Sequence, residues 1–131
     1  MNNQVSNSPL VLIADSDEDE RSLWKAVFKL KGFRVLEAAD GQTAINLMTR
    51  VTPDLLLIDL RLPRVSGPTV IRHVKSMARM SSLPVITFSY RAASGKRIPI
   101  ADTVAHFDKP IEFDLLLSLV DRIVLPPAVA A

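Results

Sequence analysis

The run Pro53-Asp54-Leu55-Leu56-Leu57-Ile58-Asp59-Leu60-Arg61-Leu62-Pro63 constrains this chain more than any other stretch. A continuous apolar segment closed by a proline reads as a strand buried on both faces. Asp59 then stands at the carboxyl end of that strand, the edge of an open α/β sheet where ligands bind. A carboxylate set against so apolar a run needs a partner, because an unpaired buried charge is costly.

The rest of the chain repeats the pattern. Leu10-Val11-Leu12-Ile13-Ala14 is a second buried run, ending at Asp15, and Ser16-Asp17-Glu18-Asp19-Glu20 opens a helix with acids where the helix dipole favours them. Leu23, Trp24, Val27, Phe28 and Leu30 follow at helical spacing, and Gly32 is the stop signal. Phe33 to Ala38 reads as a shorter strand, Asp40-Gly41 as a turn, and Thr43 to Arg50 as a short amphipathic helix. Val70, Ile71, Val74, Met77 and Ala78 mark a third helix, and Leu83 to Ser89 a strongly apolar strand ending in a hydroxyl. Tyr90 to Ile100 has no apolar stripe at helical spacing and holds Ser94-Gly95 and Pro99, so at most a turn or two of helix fits there. Thr103 to Phe107 reads as the last strand, running to Asp108-Lys109-Pro110, and Ile111 to Val124 as a strongly amphipathic final helix. Strands alternating with helices argue for a parallel sheet covered on both faces.

With 131 residues the chain forms one domain, expected over residues 10–125 between a polar tail at 1–9 and an Ala/Val tail at 126–131. Without cysteine there is no disulfide framework or thiolate metal site. No apolar run approaches the roughly 20 residues that span a bilayer, and Met1 to Pro9 is unlike a signal peptide. The expectation is a cytoplasmic protein without a membrane partner. A net charge of +2 is too small to imply nucleic acid. Up to Leu60 there are nine acids against six bases, and from Arg61 five against ten, an asymmetry that reads as solvated surface.

Four polar groups fall at or just beyond predicted strand ends: Asp15, Asp59, Ser89 and Lys109. In a doubly wound sheet such ends converge. Two carboxylates there repel unless a cation joins them, and Mg²⁺ needs only one or two protein carboxylates. A lysine and a hydroxyl are what a bound phosphoryl group requires. Together they describe a site that accepts a phosphoryl group on a carboxylate.

These residues, with Gly67, Pro84 to Ser89 and Lys109-Pro110, resemble the receiver domain of two-component response regulators, the chemotaxis-regulator type. The resemblance implies a flavodoxin-like (βα)5 fold with strand order 2-1-3-4-5, here with the fourth helix short or missing. It implies that Asp59 is the phosphoacceptor, served by a sensor histidine kinase or phosphotransfer protein, and that output goes to a downstream protein partner. It also implies that Asp15, Asp59 and the main-chain carbonyl of Arg61 hold Mg²⁺, that Ser89 and His106 are the switch residues, that Lys109 pairs with the phosphoryl group, and that Lys109-Pro110 is cis.

The chain departs from the family at several positions. Ser16 stands where a second acid is usual, which predicts weakened Mg²⁺ binding unless Asp17 turns in. Tyr90 replaces a small residue and could lean over Asp59. His106 replaces an aromatic ring, and the output face is rebuilt from loop residues including Arg91, Lys96 and Arg97. Two other readings compete. One is a receiver-like interaction domain that works without phosphorylation. The other is a haloacid-dehalogenase-like phosphatase with Asp15 and Asp17 as its D-x-D pair, opposed by Asp19 where that motif has Thr or Val.

Overall fold

A computed structural model of the chain describes residues 8–90 and 103–124. Five strands, β1 (Leu10–Ala14), β2 (Arg34–Ala38), β3 (Leu55–Asp59), β4 (Val85–Tyr90) and β5 (Ala105–Lys109), form one sheet in the order β2-β1-β3-β4-β5, every pairing parallel. Among the described residues four helices, α1 (Glu18–Leu30), α2 (Gly41–Met48), α3 (Gly67–Lys75) and α4 (Phe113–Ile123), cover its two faces, with a 3₁₀ turn at Ala78–Met80. The doubly wound, flavodoxin-like sheet expected from the sequence is therefore present. The short or missing fourth helix, the rebuilt output loop with Arg91, Lys96 and Arg97, and most of both tails lie outside the described residues.

Alternation along the strands divides the core in two. Leu12, Ala14, Leu56, Ile58 and Val85 join Ala44 and Met48 of α2 and Val70, Ile71 and Val74 of α3. Val11, Ile13, Leu55, Leu57, Ile86 and Phe88 join Trp24 and Phe28 of α1 and Leu116 and Val120 of α4. All five residues of β1 and of β3 are buried, the condition a central parallel strand imposes. β5 is only partly buried, as the edge strand it is.

Local chemistry sets the helix ends. Asp17 caps α1 by accepting the Glu20 N–H, and Gly32, at φ +90°, carries the chain out of it. Of the apolar residues at helical spacing, Leu23 and Leu30 are 52% and 89% exposed, and α1 packs through Trp24 and Phe28. Asp40-Gly41 is a helix start rather than a turn, because Asp40 accepts the Thr43 N–H and caps α2. The third helix begins at Gly67 and ends at Lys75, short of Met77 and Ala78, which belong to the turn that follows.

Two glycines bring the loop after β3 against its neighbours. A Cβ on Gly67 would lie 2.6 Å from the Asp59 carbonyl oxygen, and one on Gly41 would lie 1.8 Å from that of Val65. The start of α3 thus rests directly on the strand end that carries Asp59.

Candidate functional site

The carboxyl ends of β1, β3 and β5 deliver Asp15, Asp59 and Lys109 to one cleft of about 190 Å³, lined also by Ser16, Asp17, Glu20, Arg61 and Tyr90. Asp15 is fully buried. Its backbone continues the sheet, donating its N–H to Ala38, while its Oδ1 accepts the Asp17 N–H at 2.9 Å and its carbonyl accepts from Arg21. Asp59 is 6% exposed, and its Oδ1 accepts the Arg61 N–H at 2.8 Å. That turn holds the carboxylate away from the apolar strand and toward the cleft.

Lys109 supplies the cation. Its Nζ lies 2.7 Å from Asp59 Oδ2, 3.2 Å from Asp15 Oδ2 and 2.6 Å from Glu20 Oε2. The same Nζ sits 5.0 Å from the Phe88 ring centroid and 5.2 Å from that of Tyr90, within cation–π range. Burial works against the charged ammonium, but hydrogen bonds to Asp59 and Glu20 and the charges of Asp59 and Asp15 outweigh it and push its pKa above the usual lysine range. Asp15 is pushed up to about 6, first by burial and further by the facing Glu20 carboxylate, against the opposing pull of the Asp17 N–H and of Lys109.

The donors in the cleft are oxygens from two buried carboxylates and an adjoining main chain, and the cleft is open to water. That set suits Mg²⁺, which keeps several waters and needs one or two carboxylates. Ser16 contributes only a neutral hydroxyl. Asp17 lines the cleft, but one of its oxygens caps α1 at 3.1 Å from the Glu20 N–H. Among the described residues no three His, Cys, Asp or Glu side chains stand in a ligating arrangement.

Ser89 and His106, expected from the sequence to be the switch residues, lie together on the β5 side of Asp59. Ser89 Oγ is 3.4 Å from His106 Nε2, while His106 Nδ1 is 2.7 Å from Thr87 Oγ1. Among the described residues no hydrogen bond joins Ser89 to Asp59 or Lys109. Tyr90 is 56% exposed and lines the cleft with its ring turned to Lys109, so it stands beside the site rather than away from it. Lys109-Pro110 is cis.

The family model for the response regulator receiver domain matches residues 11–121. This chain belongs to that family. The receiver is 30% identical over 103 residues to the polar-differentiation response regulator DivK of Brucella anthropi, covering 77% of this chain and 84% of the relative. It is 25% identical over 112 residues to sporulation initiation phosphotransferase F of Bacillus subtilis, covering 86% and 90%. Among solved structures, the receiver domain of the sensor histidine kinase PA1611 from Pseudomonas aeruginosa, with a magnesium ion in its active-site cleft, superposes with a TM-score of 0.80 at 24% identity, covering 88% and 97%. Chemotaxis response regulator CheY4 of Vibrio cholerae also gives 0.80, at 19% identity, covering 89% and 99%. At those identities the likeness establishes the fold.

Two residues of this receiver's site escape a reading of the sequence. Thr87 reads as one more strand residue, and its bond to His106 becomes visible only once β4 and β5 are in register. Glu20 reads as a first-turn acid. At the third helical position after an Asp cap it matches a capping-box acid, which reaches back to the cap N–H. Here the Asp17 N–H is already taken by Asp15, and Glu20 turns to Lys109 instead.

Proposed function

We propose that Asp59 is the phosphoacceptor of this receiver, that a histidine kinase or phosphotransfer protein supplies the phosphoryl group, and that the change is passed to a protein partner. The observation that carries the reading is the Asp15–Lys109–Asp59 cluster: two buried carboxylates at neighbouring strand ends held by one buried ammonium. The relatives support it, since the matched regulator and phosphotransferase span nearly the same length of chain.

An Asp59 carboxylate oxygen attacks the phosphorus of a phosphohistidine. The O–P bond forms as the P–N bond breaks, and the imidazole nitrogen keeps the electron pair and takes up a proton. Lys109 neutralises charge on the transferred oxygens, and the buried setting strengthens that interaction. Asp15, Asp59 and the Arg61 carbonyl would hold Mg²⁺, which would supply further charge neutralisation. The Ser89 hydroxyl, released from His106, hydrogen-bonds a phosphoryl oxygen, and the Thr87–His106 pair carries that movement toward the β4–β5 edge.

Transfer of label from a phosphorylated histidine kinase or from acetyl phosphate to the wild-type chain, with none to Asp59→Asn, tests the proposal. A receiver that works through a fixed surface would take no label in either form.

A further inference from the structure

A lysine ammonium has three N–H donors. On Lys109 all three have carboxylate partners, Asp15, Glu20 and Asp59. A phosphoryl group carried by Asp59 needs one of those donors, so one of the three contacts must yield. Asp15 is fully buried, and its other oxygen is fixed by the Asp17 N–H. Asp59 is buried, tied to the Arg61 N–H, and is itself the carrier of the new group.

Glu20 differs from both. Its side chain is 29% exposed, it projects from the first turn of α1, and its carboxylate can turn into water without leaving a buried charge behind. It is also a poor neighbour for a doubly charged phosphoryl group, because like charges close together in a partly buried cleft repel strongly.

We infer that Glu20 is a positioning residue that occupies, in the unphosphorylated receiver, the Lys109 donor a phosphoryl group must take, and so competes with phosphorylation from within the chain. The inference rests on the phosphoacceptor reading of Asp59. It assigns a role to an acid that the sequence presents as a helix-start residue, and it makes the affinity of the cleft for a phosphoryl group depend on how readily Glu20 lets go.

Beryllofluoride, which sits on a carboxylate as a tetrahedral phosphoryl mimic, provides the test. It is titrated into the full chain at saturating Mg²⁺, with binding read from fluorine NMR and from the fluorescence of Trp24, the chain's single tryptophan. Glu20→Gln and Glu20→Ala are each expected to bind about two- to fivefold tighter than wild type, the range for loss of an ion pair that water reaches from one side. The gain should shrink as salt rises, whereas a merely structural role for Glu20 would not tighten binding. Equal or weaker beryllofluoride binding in both variants overturns the inference. A parallel Mg²⁺ titration without beryllofluoride should give equal affinities; a large loss in Glu20→Gln would make Glu20 a metal ligand and overturn it too. A wild-type response with no Glu20 effect removes this inference alone. No response in any of the three chains removes the phosphoacceptor reading with it.

Discussion

Lys109 Nζ reaches Asp59 Oδ2 at 2.7 Å although their strands are not neighbours. β4 lies between them, and the lysine passes across the face of its Phe88 ring. The buried lysine therefore ties β1, β3 and the start of α1 to the edge strand through three carboxylates.

Removing that cation should leave two buried carboxylates facing each other. Lys109→Met is expected to lower stability by about 3–5 kcal/mol, the range for breaking a buried ion pair from one side. Urea unfolding in Mg²⁺-free buffer measures it. A loss below about 0.5 kcal/mol, the size of an exposed pair, would show that water screens the cluster.

Asp15 contributes a pH dependence of its own. Its pKa rises from 3.8 to about 6 on folding, so between those values the folded chain binds more protons than the unfolded one, and this group's contribution to stability falls as pH rises. Asp15→Asn removes the effect. In Mg²⁺-free buffer the variant should be more stable than wild type by on the order of 1–3 kcal/mol at pH 7.5, with the difference shrinking toward pH 4. A difference that is constant across that range would contradict the assignment.

The two nearest neighbours of an added methyl at Gly67 are backbone atoms of Asp59 and Leu60, at 2.6 and 2.7 Å, which cannot move aside as a side chain would. Gly67→Ala should cost about 2–4 kcal/mol and reduce phosphoryl uptake by shifting Asp59. Gly32→Ala meets nothing within 4 Å, and its φ of +90° imposes only backbone strain, about 1 kcal/mol, with uptake unchanged. Paired thermal melts and labelling assays separate steric displacement from strain.

How much of this was open to a reader of the sequence depended on whether a residue's partner was local. β1 and β3 were legible because central parallel strands demand apolar side chains on both faces, which makes the charged residue at each end conspicuous. Asp15 and Asp59 were found that way and Lys109 by its place before a proline at the end of the last strand, and the structure brings the three together. Asp40-Gly41 misled because the same Asp that starts a turn also caps a helix. Helical spacing did not separate Leu23 and Leu30 from Trp24 and Phe28, because it does not say how wide a stripe the sheet will cover. Glu20 and Thr87 were illegible because their partners lie 89 and 19 residues away, and only strand order and register select them from equivalent neighbours.

Tyr90 covers part of the cleft with its ring toward Lys109. Tyr90→Ala should speed loss of the phosphoryl group from Asp59 roughly two- to fivefold, a barrier change of about 0.5–1 kcal/mol, by admitting water. Time courses of dephosphorylation check it, and an unchanged rate would mean that the ring shields nothing.

The most direct measurement of the central claim is intact mass after incubation with acetyl phosphate and Mg²⁺, wild type beside Asp59→Asn. Wild type should gain a single phosphoryl group, lost on chelating the metal before incubation and absent from the variant. An equal gain on Asp59→Asn, or none on wild type, would contradict it.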